Sequence, residues 1–231
     1  MERVTAILAG VMLLMGIGST AQALPMSLTV TDGITTQTVV DGGATDADPT
    51  SGVISFYNLV LGTYSITVNS ATGVGHPFLL WPEALHLNGV ELKSTTTGGF
   101  LKFILSDSNL SLPQLDPTVS PNAVATYSIN TFTQNGNTIT NTILYNDKEL
   151  GVLSGTAAGD LGFNDTATTY FDLINPFTLS EIVTINFGST RGMSSFDAGV
   201  SIIPTPEPGT MVLLGAGFLG LAIYCKRRKN I

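Results

Sequence analysis

Polar and apolar residues alternate through most of this chain, and the alternation is bracketed by two continuously apolar stretches, Val4–Ile17 and Gly209–Tyr224. Tyr64-Ser65-Ile66-Thr67-Val68 and Glu181-Ile182-Val183-Thr184-Ile185-Asn186-Phe187 show the period most cleanly. Period two with one apolar face predicts half-buried antiparallel strands. On that basis strands are expected at Ser27–Thr31, Thr35–Val40, Gly52–Leu59, Tyr64–Asn69, Ala84–Leu92, Phe100–Leu105, Ala123–Phe132, Thr138–Tyr145, Leu150–Ser154, Thr168–Leu173, Thr178–Phe187 and Ser194–Ile202. Turn markers separate them at Asp32-Gly33, Asp41-Gly42-Gly43, Asn88-Gly89, Asn135-Gly136 and Gly159-Asp160. The stretch Ser106–Asn122, with Pro113, Pro117 and Pro121, reads as a long loop. Between the two ends no run has sustained helical spacing with caps, and there is no βαβ rhythm. The expected architecture is therefore all-β, an antiparallel two-sheet β-sandwich over residues 24–203.

Composition sharpens this picture. A mean hydropathy of +0.33 would suit a membrane protein, yet the apolar runs are confined to the ends. Residues 24–205 contain four basic residues (Lys93, Lys102, Lys148, Arg191) against fifteen acidic ones, a balance of −11. Such a body repels phosphate backbones, so no nucleic acid is expected as a partner. Cys225 is the only cysteine, so the body folds without a disulfide, and about 180 residues suffice for a core that needs none.

The ends read as addresses. Arg3 opens a short n-region, Ala6–Ile17 is an apolar segment too short to span a bilayer, and Ala21-Gln22-Ala23 is an A-x-A cleavage site. Residues 1–23 are thus expected to be a signal peptide with a helical apolar part, cut by signal peptidase after Ala23. The competing reading is an uncleaved anchor or a buried helix. At the other end Pro206-Glu207-Pro208 precedes the apolar Met211–Tyr224 and the cluster Lys226, Arg227, Arg228 and Lys229. The apolar part is at the short limit for a transmembrane helix. The cations favour the cytoplasmic face, which would halt the chain with its body outside the inner membrane. Pro206 and Pro208 hold their segment extended, a form that a peptidase can grip.

Thr205–Ile231 resembles the PEP-CTERM sorting signal of Gram-negative bacteria, which joins a Pro-Glu-Pro motif, a short Gly-containing hydrophobic helix and a basic terminus. Within residues 204–231, Pro206, Glu207 and Pro208 occupy the positions of the family's recognition motif. The resemblance implies removal of the tail by an exosortase, a membrane-embedded protease-transpeptidase. It also implies delivery to the cell surface or matrix in connection with exopolysaccharide and biofilm. The lysines among the terminal arginines and Cys225 depart mildly from the pattern.

Candidate chemistry in the body is sparse. The body has no cysteine and two histidines, His76 and His86, and it lacks a Gly-x-Ser-x-Gly elbow. Zinc would need further ligands at motif spacing. The densest acidic loop, Asp41–Asp48, has oxygen ligands for Ca²⁺ but not the EF-hand order, so a solvated turn is the default. The carboxylate pairs Asp46/Asp48 and Asp147/Glu149 are side-by-side residues near turns. Trp81, Tyr57, Tyr127, Tyr145 and Tyr170 are aromatics suited to sugar stacking, with a core role preferred for Trp81. The sequence therefore predicts no catalytic residues, no metal and no cofactor. The expected protein is a non-enzymatic exported surface or matrix protein, and the alternative is a lectin-like module that binds exopolysaccharide.

Overall fold

The computed structural model describes residues 26–73, 84–110, 122–132, 136–156, 162–174, 176–188, 192–204 and 214–221. Twelve strands occur in chain order: β1 (Ser27–Thr31), β2 (Thr36–Val40), β3 (Val53–Leu61), β4 (Tyr64–Gly73), β5 (Leu85–Ser94), β6 (Phe100–Leu110), β7 (Asn122–Phe132), β8 (Thr138–Tyr145), β9 (Lys148–Thr156), β10 (Gly162–Asp172), β11 (Phe177–Asn186) and β12 (Gly192–Pro204). They form two six-stranded antiparallel sheets, ordered β2-β1-β6-β11-β8-β9 and β10-β7-β12-β5-β4-β3. The expected antiparallel sandwich is what forms. Its last eight strands nest as β5·β12, β6·β11, β7·β10 and β8·β9, which is the pairing of a jelly roll.

Alternation explains the core. In β8 every second residue is buried (Ile139, Asn141, Ile143, Tyr145), and β4 does the same with Tyr64, Ile66 and Val68. The two sheets meet through interdigitating side chains of this kind. Phe103 of one sheet and Phe196 of the other pack edge to face with ring centroids 5.2 Å apart, an arrangement that aromatic quadrupoles favour.

Three local readings are corrected. Asn88-Gly89 is a bulge inside β5, not a turn between strands. Gly89 has φ 58, the pairing with β12 shifts between Phe196 and Ala198, and the Gly89 N–H donates to the Asp197 carboxylate at 2.6 Å. β10 begins at Gly162 rather than Thr168, because all eleven of its residues pair in unbroken register with β7. β6 and β7 reach Leu110 and Asn122, so strand replaces both ends of the stretch read as a loop. Of that stretch, residues 111–121 lie outside the described residues.

The signal segment 1–23, including Ala21 and Ala23, lies outside the described residues, as do Pro206, Glu207, Pro208, Lys226, Arg227, Arg228 and Lys229. Of the expected span Met211–Tyr224 the structure describes residues 214–221, which are helical and exposed. Among the described residues no helix is long and apolar enough to cross a membrane.

Candidate functional site

Where β8 turns into β9, the chain must reverse within two residues. Asn146 and Asp147 both take positive φ, 47° and 62°, and Tyr145 pairs directly with Lys148. This is the primed hairpin turn, whose twist matches the strands, and Asn and Asp tolerate it better than other non-glycine residues. The turn is pinned to β11, since the Thr178 N–H donates to Asn146 Oδ1 at 2.8 Å and the Asn146 N–H to the Thr178 carbonyl at 2.9 Å.

Beside this turn the end of β10 leaves a cleft of about 550 Å³. Tyr145 forms its floor. The Tyr145 hydroxyl accepts the Ile174 N–H at 2.6 Å and donates to the Ile174 carbonyl at 3.0 Å. Its ring packs against Phe171 and Phe177, with centroids 4.8 and 5.4 Å away. Tyr170 stands on the wall with 74% of its surface exposed. Asn146, Lys148, Glu149 and Asp172 complete the lining with amide, cationic and anionic groups. An exposed ring among hydrogen-bonding groups is the equipment of a site for an amphipathic ligand.

The sequence candidates are thereby sorted. Tyr145 and Glu149, neighbours across one hairpin turn, share the cleft with Tyr170 from β10. Tyr127 is instead buried, and its hydroxyl lies 3.2 Å from Thr169 Oγ1. Tyr57 is exposed on β3, which is an edge strand of its sheet. His86 is half-buried on β5 next to Gly199. His76 and Trp81 lie outside the described residues. Asn146, Lys148, Phe171 and Asp172 were not singled out from the sequence. The Tyr-Asn-Asp-Lys string at 145–148 was the available sign, since Asn-Asp suits a two-residue turn.

The Asp41–Asp48 loop caps itself. The Asp46 carboxylate accepts the N–H groups of Gly42, Asp48 and Ser55 at 3.0–3.1 Å. Asp41 accepts the Gly52 N–H at 2.8 Å and Asp48 the Thr50 N–H at 2.8 Å. These bonds tie the loop together through its own carboxylates, while the buried Asp41 Oδ1 accepts none. Among the described residues no group of three or more His, Cys, Asp or Glu is placed to hold a metal. The Thr50 N–H, reinforced by the Thr50 hydroxyl, holds the Asp48 carboxyl below its ordinary pKa. In the β1–β2 turn the N–H groups of Thr35 and Ile34 do the same for Asp32.

The family model for the PEP-CTERM protein-sorting motif matches residues 204–229, so the chain carries that motif at its C-terminal end. No curated protein matches the chain. Among solved structures, TmCBM61 in complex with β-1,4-galactotriose is similar at 8% identity over 62% of this chain and 90% of that one, with a TM-score of 0.37. The adhesin domain of Epf from Streptococcus pyogenes is similar at 10% identity over 79% and 60%, with a TM-score of 0.40. The Stig cyclase Fisc from Fischerella sp. TAU is similar at 14% identity over 67% and 86%, with a TM-score of 0.35.

Proposed function

We propose that this chain is an exported protein that an exosortase processes within residues 204–231, after which its sandwich acts at the cell surface or in the matrix without catalysing a reaction. The sorting motif at residues 204–229 carries this reading. Signal peptidase cuts after Ala23, so the mature body begins at Leu24. Met211–Tyr224 holds the chain briefly in the inner membrane, and Lys226, Arg227, Arg228 and Lys229 keep the far end cytoplasmic. Pro206, Glu207 and Pro208 are the motif that the exosortase recognises. The body then joins a matrix of exopolysaccharide, in a structural role linked to biofilm.

Replacing Pro206-Glu207-Pro208 by three alanines tests the reading. The variant should stay in the membrane fraction while the parent reaches the medium or cell surface. Equal release of both would remove the exosortase from the account.

A second reading is favoured by Tyr170. Its exposed ring, flanked by Asn146, Lys148, Glu149 and Asp172, suits the apolar face of a sugar ring with its hydroxyls turned to the polar groups. On this reading the body is a lectin-like module for exopolysaccharide. Retention of the exported protein on the producing cell's own polysaccharide tests it. Retention should depend on Tyr170, and passage through the column without delay would refute it.

A further inference from the structure

A sheet edge presents unpaired N–H and C=O groups, and soluble proteins blunt such edges to prevent pairing with other chains. The sandwich has four edge strands, β2, β9, β3 and β10. Three of them are blunted. β2 is only five residues long. β3 shifts register with β4 twice, and Asn58 has φ 55 between the shifted pairs. β9 shifts register against β8 at Leu150 and begins with Lys148 and Glu149. β10 is neither short nor shifted in register, and its only charged side chains are Asp165 and Asp172. It runs eleven residues in continuous register with β7 and contains no proline, lysine or arginine. Among the described residues no strand pairs with its other side.

We propose that this edge of β10 pairs antiparallel with β10 of a second copy, joining two six-stranded sheets into one of twelve. The occupant follows from the strand's own sequence. An antiparallel pair centred on Ala167 is the register that engages all eleven residues of both copies. It sets Phe163 opposite the partner's Phe171 on the core-facing side, where both rings are already partly buried against the core. It also sets Thr166 opposite the partner's Thr168, Asn164 opposite the partner's Tyr170, Asp165 opposite the partner's Thr169 and Asp172 opposite the partner's Gly162. No carboxylate faces another, although the chain as a whole is acidic. Aromatic and Thr–Thr cross-strand pairs are favourable, whereas like charges directly opposite are not. The arrangement is isologous and closes as a dimer. The partner's Asn164 beside Tyr170 also places the second copy at the mouth of the cleft.

Sedimentation velocity of the exported protein tests the pair, with concentration and salt as variables. The expected result is a concentration-dependent dimer that tightens with salt, since salt screens repulsion between acidic bodies. Thr166 and Thr168 are exposed, so T166K combined with T168K leaves the fold intact. It sets lysine against lysine twice and should give a monomer. With Cys225→Ser present, Ala167→Cys should oxidise to a covalent dimer, because directly opposed Cα atoms lie about 4.5–5.5 Å apart. Asn164→Cys should not, because its own copy lies at the far end of the pair. A parent that stays monomeric, a dimer that survives the two lysines, or an Asn164→Cys protein that crosslinks as readily as Ala167→Cys would each overturn the proposal.

Discussion

Asn141 and Glu181, both fully buried, are joined by a hydrogen bond from Asn141 Nδ2 to Glu181 Oε1 at 2.9 Å. The same amide nitrogen lies 3.3 Å from the carbonyl of Ser128, which belongs to the opposite sheet. A carboxyl group and an amide thus sit where the alternation calls for apolar side chains, and the amide ties β8 and β11 to β7 through the core. Burying such groups costs free energy unless their hydrogen bonds are made. Asn141→Ala, which takes one donor from a buried carboxyl group, should therefore destabilise the protein by about 1–3 kcal/mol. Replacing both residues by leucine should cost clearly less than Asn141→Leu and Glu181→Leu added together. Urea denaturation of the four proteins in a double-mutant cycle checks this, and additive costs would show that the two residues act independently.

Gly151 of β9 lies against the hydroxyl of Tyr127, so closely that a Cβ would collide with it. The two residues come from opposite sheets, and the missing side chain lets the sandwich edge close. Gly151→Ala should lower stability by about 1–3 kcal/mol, the usual cost of overpacking. Adding Tyr127→Phe should recover part of that loss by removing the colliding oxygen. Thermal melts of the single and double variants decide.

Asp32 and Asp48 have carboxyl pKa values lowered by backbone N–H donors. A depressed folded pKa means that their contribution to stability is present above the unfolded value near 3.8 and fades as pH falls through the lower folded value. Tyr64 shifts the other way, raised above 10 first by burial and then by the negative charge of Asp32. Its contribution is complete below pH 10 and fades as pH rises through the folded value. NMR titration of the Ile34, Thr35 and Thr50 amides should give midpoints below 3.8. Ultraviolet titration should place Tyr64 above 10, with a smaller displacement in Asp32→Asn. Midpoints at the ordinary values would contradict these assignments.

Tyr170 is exposed enough that removing its ring should leave folding stability within about 0.5 kcal/mol. Tyr170→Ala should nevertheless weaken retention on matrix polysaccharide about tenfold, equivalent to ~1.4 kcal/mol. Affinity electrophoresis through a polysaccharide gel measures it directly, and an unchanged mobility shift would exclude the ring from binding.

The strands were legible because their signal is local. In β4, β8 and β11 one face is mostly apolar at alternate positions, Asn141 and Glu181 being the exceptions, and no partner is needed to see it. Only the C-terminal half of β10 carries a strand signal, because Gly162–Ala167 has weak apolar alternation. It is the pairing with β7 that makes this stretch a strand. Gly89 shows the same limit, since a left-handed glycine serves equally in a turn or a bulge, and the carboxylate of Asp197, 108 residues away, selects the bulge. Glu181 falls on the same alternating face as Val183 and Ile185 and is buried with them, although a carboxylate there is not expected from its chemistry. The cleft was hidden for a similar reason. Tyr145 and Tyr170 lie on strands of different sheets, and nothing in local spacing says that those two sheet edges meet.

The most direct measurement is the intact mass of the protein recovered from outside the cell. A species that starts at Leu24 and has lost the apolar segment with its basic tail is the predicted result. Extracellular protein that still carries Met211 through Ile231 would contradict the account.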